Sequence, residues 1–264
     1  MNTSLIVATS RSEPDPSIRE VVASLPETLA LNPQAPADIV AVDGSDGWPM
    51  RVKDAELAGS RGAMLQEPLH ADAEFLSNSG ITLAVQWLFS SDDALGQLAA
   101  EVAALGHHRP IESRVEMPPG TDIARVLVSH IALVSRALGE HPLAARMVHQ
   151  SHRGYHAVVT FAGASAHLDA AISAASPPGA RLRVIDDNSA VTAVLPGGSH
   201  SRPDEITVLT AAGAHQLPNS WESRDRSAWR RLADAVANSK RLDDLPLLLA
   251  ITRAVHADKE GENG

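Results

Sequence analysis

The chain of 264 residues contains no cysteine. Disulfides, thiolate nucleophiles and thiolate metal sites are therefore excluded, and no thiol points to an oxidising compartment. Cytoplasmic localisation is the default expectation. Lysine and arginine form no clusters and the formal charge is −10, so neither nucleic acid nor an anionic membrane is expected as a partner, since both demand basic surface. A small molecule or a protein is. Long hydrophobic runs are missing too: Met1 to Ala8 has no basic flank and is too short for a signal peptide or a membrane span. It reads as a strand. Also missing are Gly-x-Gly-x-x-Gly, Gly-x-Ser-x-Gly and Walker loops.

What is present suits one large domain or two small ones, with 44% hydrophobic residues to fill a core. The first part alternates short apolar runs with helical patterns, as a parallel α/β sheet does. Strands are predicted at Leu5–Ala8, Ile39–Val42, Ala63–Leu65 and Ile81–Gln86, with a helix at Ser17–Ala23 and a short one at Leu25–Leu29. Asp92 and Asp93 are candidate N-caps for a helix with the stripe Leu95, Leu98, Val102 and Leu105. Thr121 or Asp122 caps another, with His130 on its apolar face and Gly139 after its end.

The period then falls toward two. Ile111–Glu116, Tyr155–Phe161, Ala166–Ser173, Arg181–Ile185, Ala190–Leu195 and Glu205–Thr210 read as a mostly antiparallel sheet of about six strands. Two closing helices follow, carrying Trp229 and Leu245. They are expected to cover one face of that sheet and to leave a mixed apolar patch on the other. The expected fold class is α/β plus α+β: a truncated Rossmann-like parallel sheet over residues 1–90, then an open, mostly antiparallel sheet domain over 91–257 with helices on one face. A disordered tail is expected over 258–264.

The run Gln66-Glu67-Pro68-Leu69-His70 resembles the glucose-fructose oxidoreductase and inositol dehydrogenase family, in which a strand ends in Glu-Lys-Pro. The chain has no Lys there, and the wording is closer to the thiazolinyl imine reductases of siderophore assembly. That branch carries a His before the Pro, absent here. The resemblance implies a Rossmann domain whose first strand and phosphate turn are missing, so that Leu5–Ala8 matches the family's second strand. Ser10 and Arg11 then fall in the loop that meets the adenosine ribose or its phosphate.

It also implies site residues. His70, just after the Pro turn where open α/β sheets bind ligands, is a candidate proton donor or acceptor. Glu67 matches a mainly structural Glu, and Gln66 borders the substrate. Phe89 stands about where the imine reductases place a Tyr, and with Trp87 it lines a pocket for a flat heterocycle or belongs to the core. The only tyrosine, Tyr155, reads as a packing residue. His130 matches the catalytic His of sugar-type members but lacks their preceding Asp, and a His on an apolar stripe is commonly a core residue. His149, His152 and His156 have no carboxylate among them, and no metal is expected.

Three functions stay open. One is an imine-reductase-lineage protein acting on a thiazoline-like C=N centre, free or carrier-bound, in peptide natural-product biosynthesis. The others are a cofactor-free proton-transfer or cyclising enzyme in the same cleft, and a non-catalytic partner of a full-length homologue or of an assembly line. Redox chemistry is expected to be lost or changed, with no cofactor bound, or NADPH on the reductase reading. The resemblance implies a homodimer or heterodimer through the open sheet.

Overall fold

The structure, a computed structural model, describes residues 4–9, 16–32, 36–89, 91–106, 110–197 and 202–261. Two compact units appear, one of residues 1–86 with 224–249, the other of 87–223 with 250–264. The first holds a five-stranded parallel sheet and the second a mostly antiparallel eight-stranded one.

In the first unit the strands are β1 (Leu5–Thr9), β2 (Leu29–Leu31), β3 (Ile39–Asp43), β4 (Gly62–Gln66) and β5 (Thr82–Gln86). Their order is β2-β1-β3-β4-β5. These strands read as near-continuous apolar runs because helices bury both faces. One face carries α1 (Pro16–Ala23) and α5 (Arg224–Ala237), with Val7, Ile39, Met64, Val22, Trp229 and Leu232 in one cluster. On the other stands α2 (Trp48–Leu57), burying Trp48, Val52 and Ala55.

Two expectations are corrected here: the short helix at Leu25–Leu29 and the place of the helix that carries Trp229. β1 pairs directly with β2 on one side and with β3 on the other. The crossover therefore reverses between β1 and β3, as it does in a doubly wound, Rossmann-like sheet. Leu25–Leu29 is a turn, with Thr28 N–H and Leu29 N–H both donating to the Leu25 carbonyl, and it leads into the edge strand β2. Helix α5, expected on the antiparallel sheet, packs on β4 and β5 instead. Gly62 is the reason: a Cβ there would stand 2.7 Å from Val236 Cγ2, so its absence lets α5 sit close on β4.

Helix α6 (Asp244–Gly261) begins in the first unit and ends in the second. Asp244 Oδ2 accepts from the Val85 N–H at 2.7 Å and from Arg231 Nη2 at 2.7 Å, which satisfies part of the open edge of β5. The helix runs to Gly261, and 262–264 lie outside the described residues.

The second unit contains α3 (Asp92–Ala104), β6 (Pro110–Met117), α4 (Ile123–Leu138), β7 (Ala144–Ser151), β8 (Gly154–Thr160), β9 (Ser165–Ile172), β10 (Gly179–Ile185), β11 (Ser189–Pro196), β12 (Glu205–Thr210) and β13 (Gly213–Gln216). Its sheet runs β13-β12-β11-β10-β6-β9-β8-β7, with the one described parallel pair at β6–β9. Asp122 caps α4 by accepting from Ala124 N–H, whereas α3 is capped by Ser91 rather than by Asp92 or Asp93.

Helices α3 and α4 supply the cover that the closing helices were expected to give. Under them lie Val115, Tyr155, Ala157, Val159, Leu168, Leu182 and Ala193, all buried. The alternate positions point outward and are mixed: Glu112, Arg114, His167, Asp169, Arg181 and Arg183 are exposed there, with Val194 and Leu209 among them.

Candidate functional site

The carboxyl ends of β3, β4 and β5 place Asp43, Gln66 and Gln86 in one register row. This edge is where open α/β sheets take their ligands. Beyond it the chain is pinned. Gly44 N–H donates to the Gln66 carbonyl at 2.9 Å and Leu69 N–H to the Gly44 carbonyl at 2.9 Å. A Cβ on Gly44 would fall 2.3 Å from Gln66 O and 2.4 Å from Pro68 Cα, so only glycine allows the two loops to touch. Trp48 Nε1 holds the Leu69 carbonyl at 3.0 Å, and Arg51 Nη2 binds the carbonyls of Asp43 and Ser45, each at 2.8 Å.

Glu67 stands in this pinned segment with φ 44°, a left-handed backbone rarely adopted by a residue with a side chain. Its Oε1 accepts from Arg224 Nη2 at 3.2 Å, and Arg224 in turn pairs with Asp225 at 3.1 Å. Gln86 Nε2 donates to Asp225 Oδ1 at 2.7 Å. Gln86 is 5% exposed and its Oε1 has no hydrogen-bond partner among the described residues. A buried acceptor without a donor is uncommon and marks a place for a ligand N–H or O–H. His70 follows on the same pinned loop, half-buried.

The structure thus brings Gln66, Glu67 and His70 into one unit with Gln86, Arg224 and Asp225. The last three carried no signal in the sequence, because Arg224 lies 157 residues from Glu67. Ser10 and Arg11 lie outside the described residues.

Trp87, Phe89 and His130 belong to the second unit. Phe89 is 1% exposed and sets its ring edge-on to His130, centroids 6.4 Å apart. His130 is fully buried, with Nδ1 2.9 Å from Tyr155 Oη and Nε2 2.7 Å from Ser113 Oγ. Ser113 Oγ donates to the Arg181 carbonyl, leaving its lone pairs for Nε2–H, so Nδ1 accepts from the Tyr155 hydroxyl. Burial lowers the His130 pKa to about 3 and pushes the Tyr155 hydroxyl well above its ordinary value. A neutral imidazole with both nitrogens engaged is a core element, the reading the sequence left open beside catalysis. Trp87 is buried too, and its Nε1 has no partner among the described residues.

His149 and His156 face each other across β7 and β8, and His156 Nδ1 lies 2.9 Å from Asp169 Oδ1. Among the described residues no three His, Asp or Glu side chains are placed to hold a metal ion.

No protein-family model matches the chain, and neither does any curated protein. Solved structures do. KijD10, a 3-ketoreductase from Actinomadura kijaniata in complex with NADP, matches with a TM-score of 0.71 at 16% identity, over 98% of this chain and 89% of that one. The chain shares the fold of that structure, a Rossmann-like parallel sheet and a second, mostly antiparallel one. A protein of Desulfitobacterium hafniense DCB-2 assigned to the NADPH-dependent oxidoreductases gives a TM-score of 0.74 at 11% identity, covering 98% of this chain and 96% of that one. The UDP-N-acetylglucosamine 3-dehydrogenase of Acidithiobacillus ferrooxidans gives 0.62 at 16%, covering 92% and 84%. At such identities the likeness is one of fold.

That fold implies a dinucleotide, whose pyrophosphate rests on glycine amides and a helix N-terminus after the first strand. Here β1 is followed by Ser10-Arg11-Ser12-Glu13-Pro14-Asp15, and Pro16 opens α1. There is no glycine in that segment. Pro14 and Pro16 have no N–H, while Glu13 and Asp15 bring negative charge. Residues 10–15 lie outside the described residues.

Proposed function

We propose that the chain binds a small heterocycle with a C=N bond at the carboxyl end of its parallel sheet and moves a proton on it, without hydride transfer. The observation that carries this reading is Gln86 Oε1, a buried acceptor with no donor among the described residues. A thiazoline-type imine has no N–H, but its enamine tautomer does. In the proposed step His70 takes a proton from the carbon next to C=N, the double bond shifts toward that carbon, and the His70 imidazolium returns the same proton to the ring nitrogen, whose N–H then donates to Gln86 Oε1. Atoms and charge balance, and no reductant is consumed. Glu67, tied to Arg224, holds the loop that presents His70. The resemblance of Gln66 to His70 to the imine reductases supports the substrate class.

The test is proton NMR of 2-methylthiazoline-4-carboxylate in D2O. The protein should speed deuterium uptake at the methyl group beside C=N, and His70→Gln should slow it at least tenfold. No acceleration would overturn the proposal. A second reading, imine reduction with NADPH, is supported by the NADP-bound structure sharing this fold. Loss of NADPH absorbance with the same substrate would decide for it.

A further inference from the structure

On the outward face of the eight-stranded sheet lies a groove of about 570 Å³, bounded by β6, β10, β11 and the segment that enters β12. Three arginines line it, Arg114, Arg181 and Arg202, against two carboxylates, Glu116 and Glu205. On a chain of net charge −10 this is a local excess of positive charge.

Its placement is unfavourable for the fold alone. Arg114 of β6 and Arg181 of β10 stand directly opposite in register, both exposed on the same face. Like charges so placed repel. Arg114 is relieved by Glu116 at 3.0 Å, but the Arg181 guanidinium makes no ion pair or hydrogen bond among the described residues. The next outward pair along these strands, Arg183 opposite Glu112, has complementary signs. The mismatch thus falls at the groove. Val194, directly across from Arg181 on β11, and Pro178 add an apolar wall.

We infer that this groove binds a small organic anion, a carboxylate or phosphate ester with an apolar body. The guanidinium forks of Arg181 and Arg114 take the acid group, and Val194 and Pro178 take the body. Arg183 lies outside the groove and serves as a control for general attraction. Nothing in this inference depends on the proton-transfer reading, whose residues belong to the other unit.

The experiment is isothermal titration of the full chain with phenyl phosphate and benzoate, with inorganic phosphate to separate the acid group from the apolar body. Saturable binding of phenyl phosphate is expected, tighter than that of inorganic phosphate. Arg181→Ala and Arg114→Ala should each weaken it about tenfold, while Arg183→Ala leaves it unchanged. Both groove arginines are exposed, and unchanged melting of the variants will show that the fold survives. Absence of saturation at millimolar phenyl phosphate would overturn the inference, as would equal weakening by Arg183→Ala. So would a homodimer that falls apart on Arg181→Ala, since a second copy would then be the occupant.

Discussion

The Tyr155 hydroxyl, on β8, lies 2.9 Å from Nδ1 of His130, on α4, and both residues are buried. Because Nε2 is engaged with Ser113, the tyrosine is the donor for an otherwise bare buried acceptor. Tyr155→Phe keeps the ring and removes the donor. It should destabilise the protein by about 1–3 kcal/mol, the range for leaving a buried polar group unsatisfied. Urea unfolding would check this, and an unchanged midpoint would show that the contact is not formed.

His130 also sets a pH dependence. Its folded pKa, near 3, lies below the ordinary value of 6.5. Between these values the unfolded chain binds the extra proton and the folded one does not, so stability rises with pH through that window. The contribution is complete above pH 6.5 and falls as the pH drops toward 3, by at most one proton, about 1.4 kcal/mol per pH unit. His130→Gln should flatten the dependence of the urea midpoint between pH 4 and 6. Equal slopes in both proteins would refute the buried neutral imidazole.

Much of the fold could be read from the sequence because its signals are local. The alternation in β8, with Tyr155, Ala157 and Val159 inward, marked a half-buried strand, and the 3.6-residue stripe of α4 with Asp122 before it marked a capped helix. What failed was assignment at a distance. The stripe of Ala228, Trp229, Leu232 and Val236 says that α5 is amphipathic, but not which sheet it covers. Gly62 answers that, and a lone glycine in a strand carries many meanings. The site divides in the same way. Gln66, Glu67 and His70 were visible as a run of residues, whereas Arg224, Asp225 and the free oxygen of Gln86 exist as a group only after folding.

Gly44 should be as sensitive as a core residue although it carries no side chain. A methyl group there meets the backbone of Gln66 and Pro68, which has nowhere to move without breaking the Gly44–Gln66 and Leu69–Gly44 hydrogen bonds. Gly44→Ala should cost about 2–3 kcal/mol and shift the loop bearing His70. Ligand affinity at this site should fall with it. Near wild-type melting would show that the loops can part.

His70 should behave in the opposite way. It is half-buried on a loop held by its neighbours, so His70→Ala should lower stability by less than about 1 kcal/mol while reducing activity or ligand affinity. Paired measurements of melting and deuterium exchange will separate the two effects. A loss of stability as large as the loss of function would give His70 a structural role.

The open sheet remains the proposed surface for association. Its outward rows are mixed, with many charges, and one end is the arginine groove. The half formed by β7, β8 and β9 is left for a second copy. There His149 faces His156, His156 binds Asp169, and His156 stacks on His167 with centroids 5.9 Å apart. A contact built on such groups is screened by salt, because the charges are exposed and the Debye length shrinks to about 3 Å at 1 M. The expected outcome is a dimer by light scattering at low ionic strength that dissociates as salt is raised. A monomer at both extremes would remove this contact. A dimer indifferent to salt would place the interface on an apolar surface elsewhere.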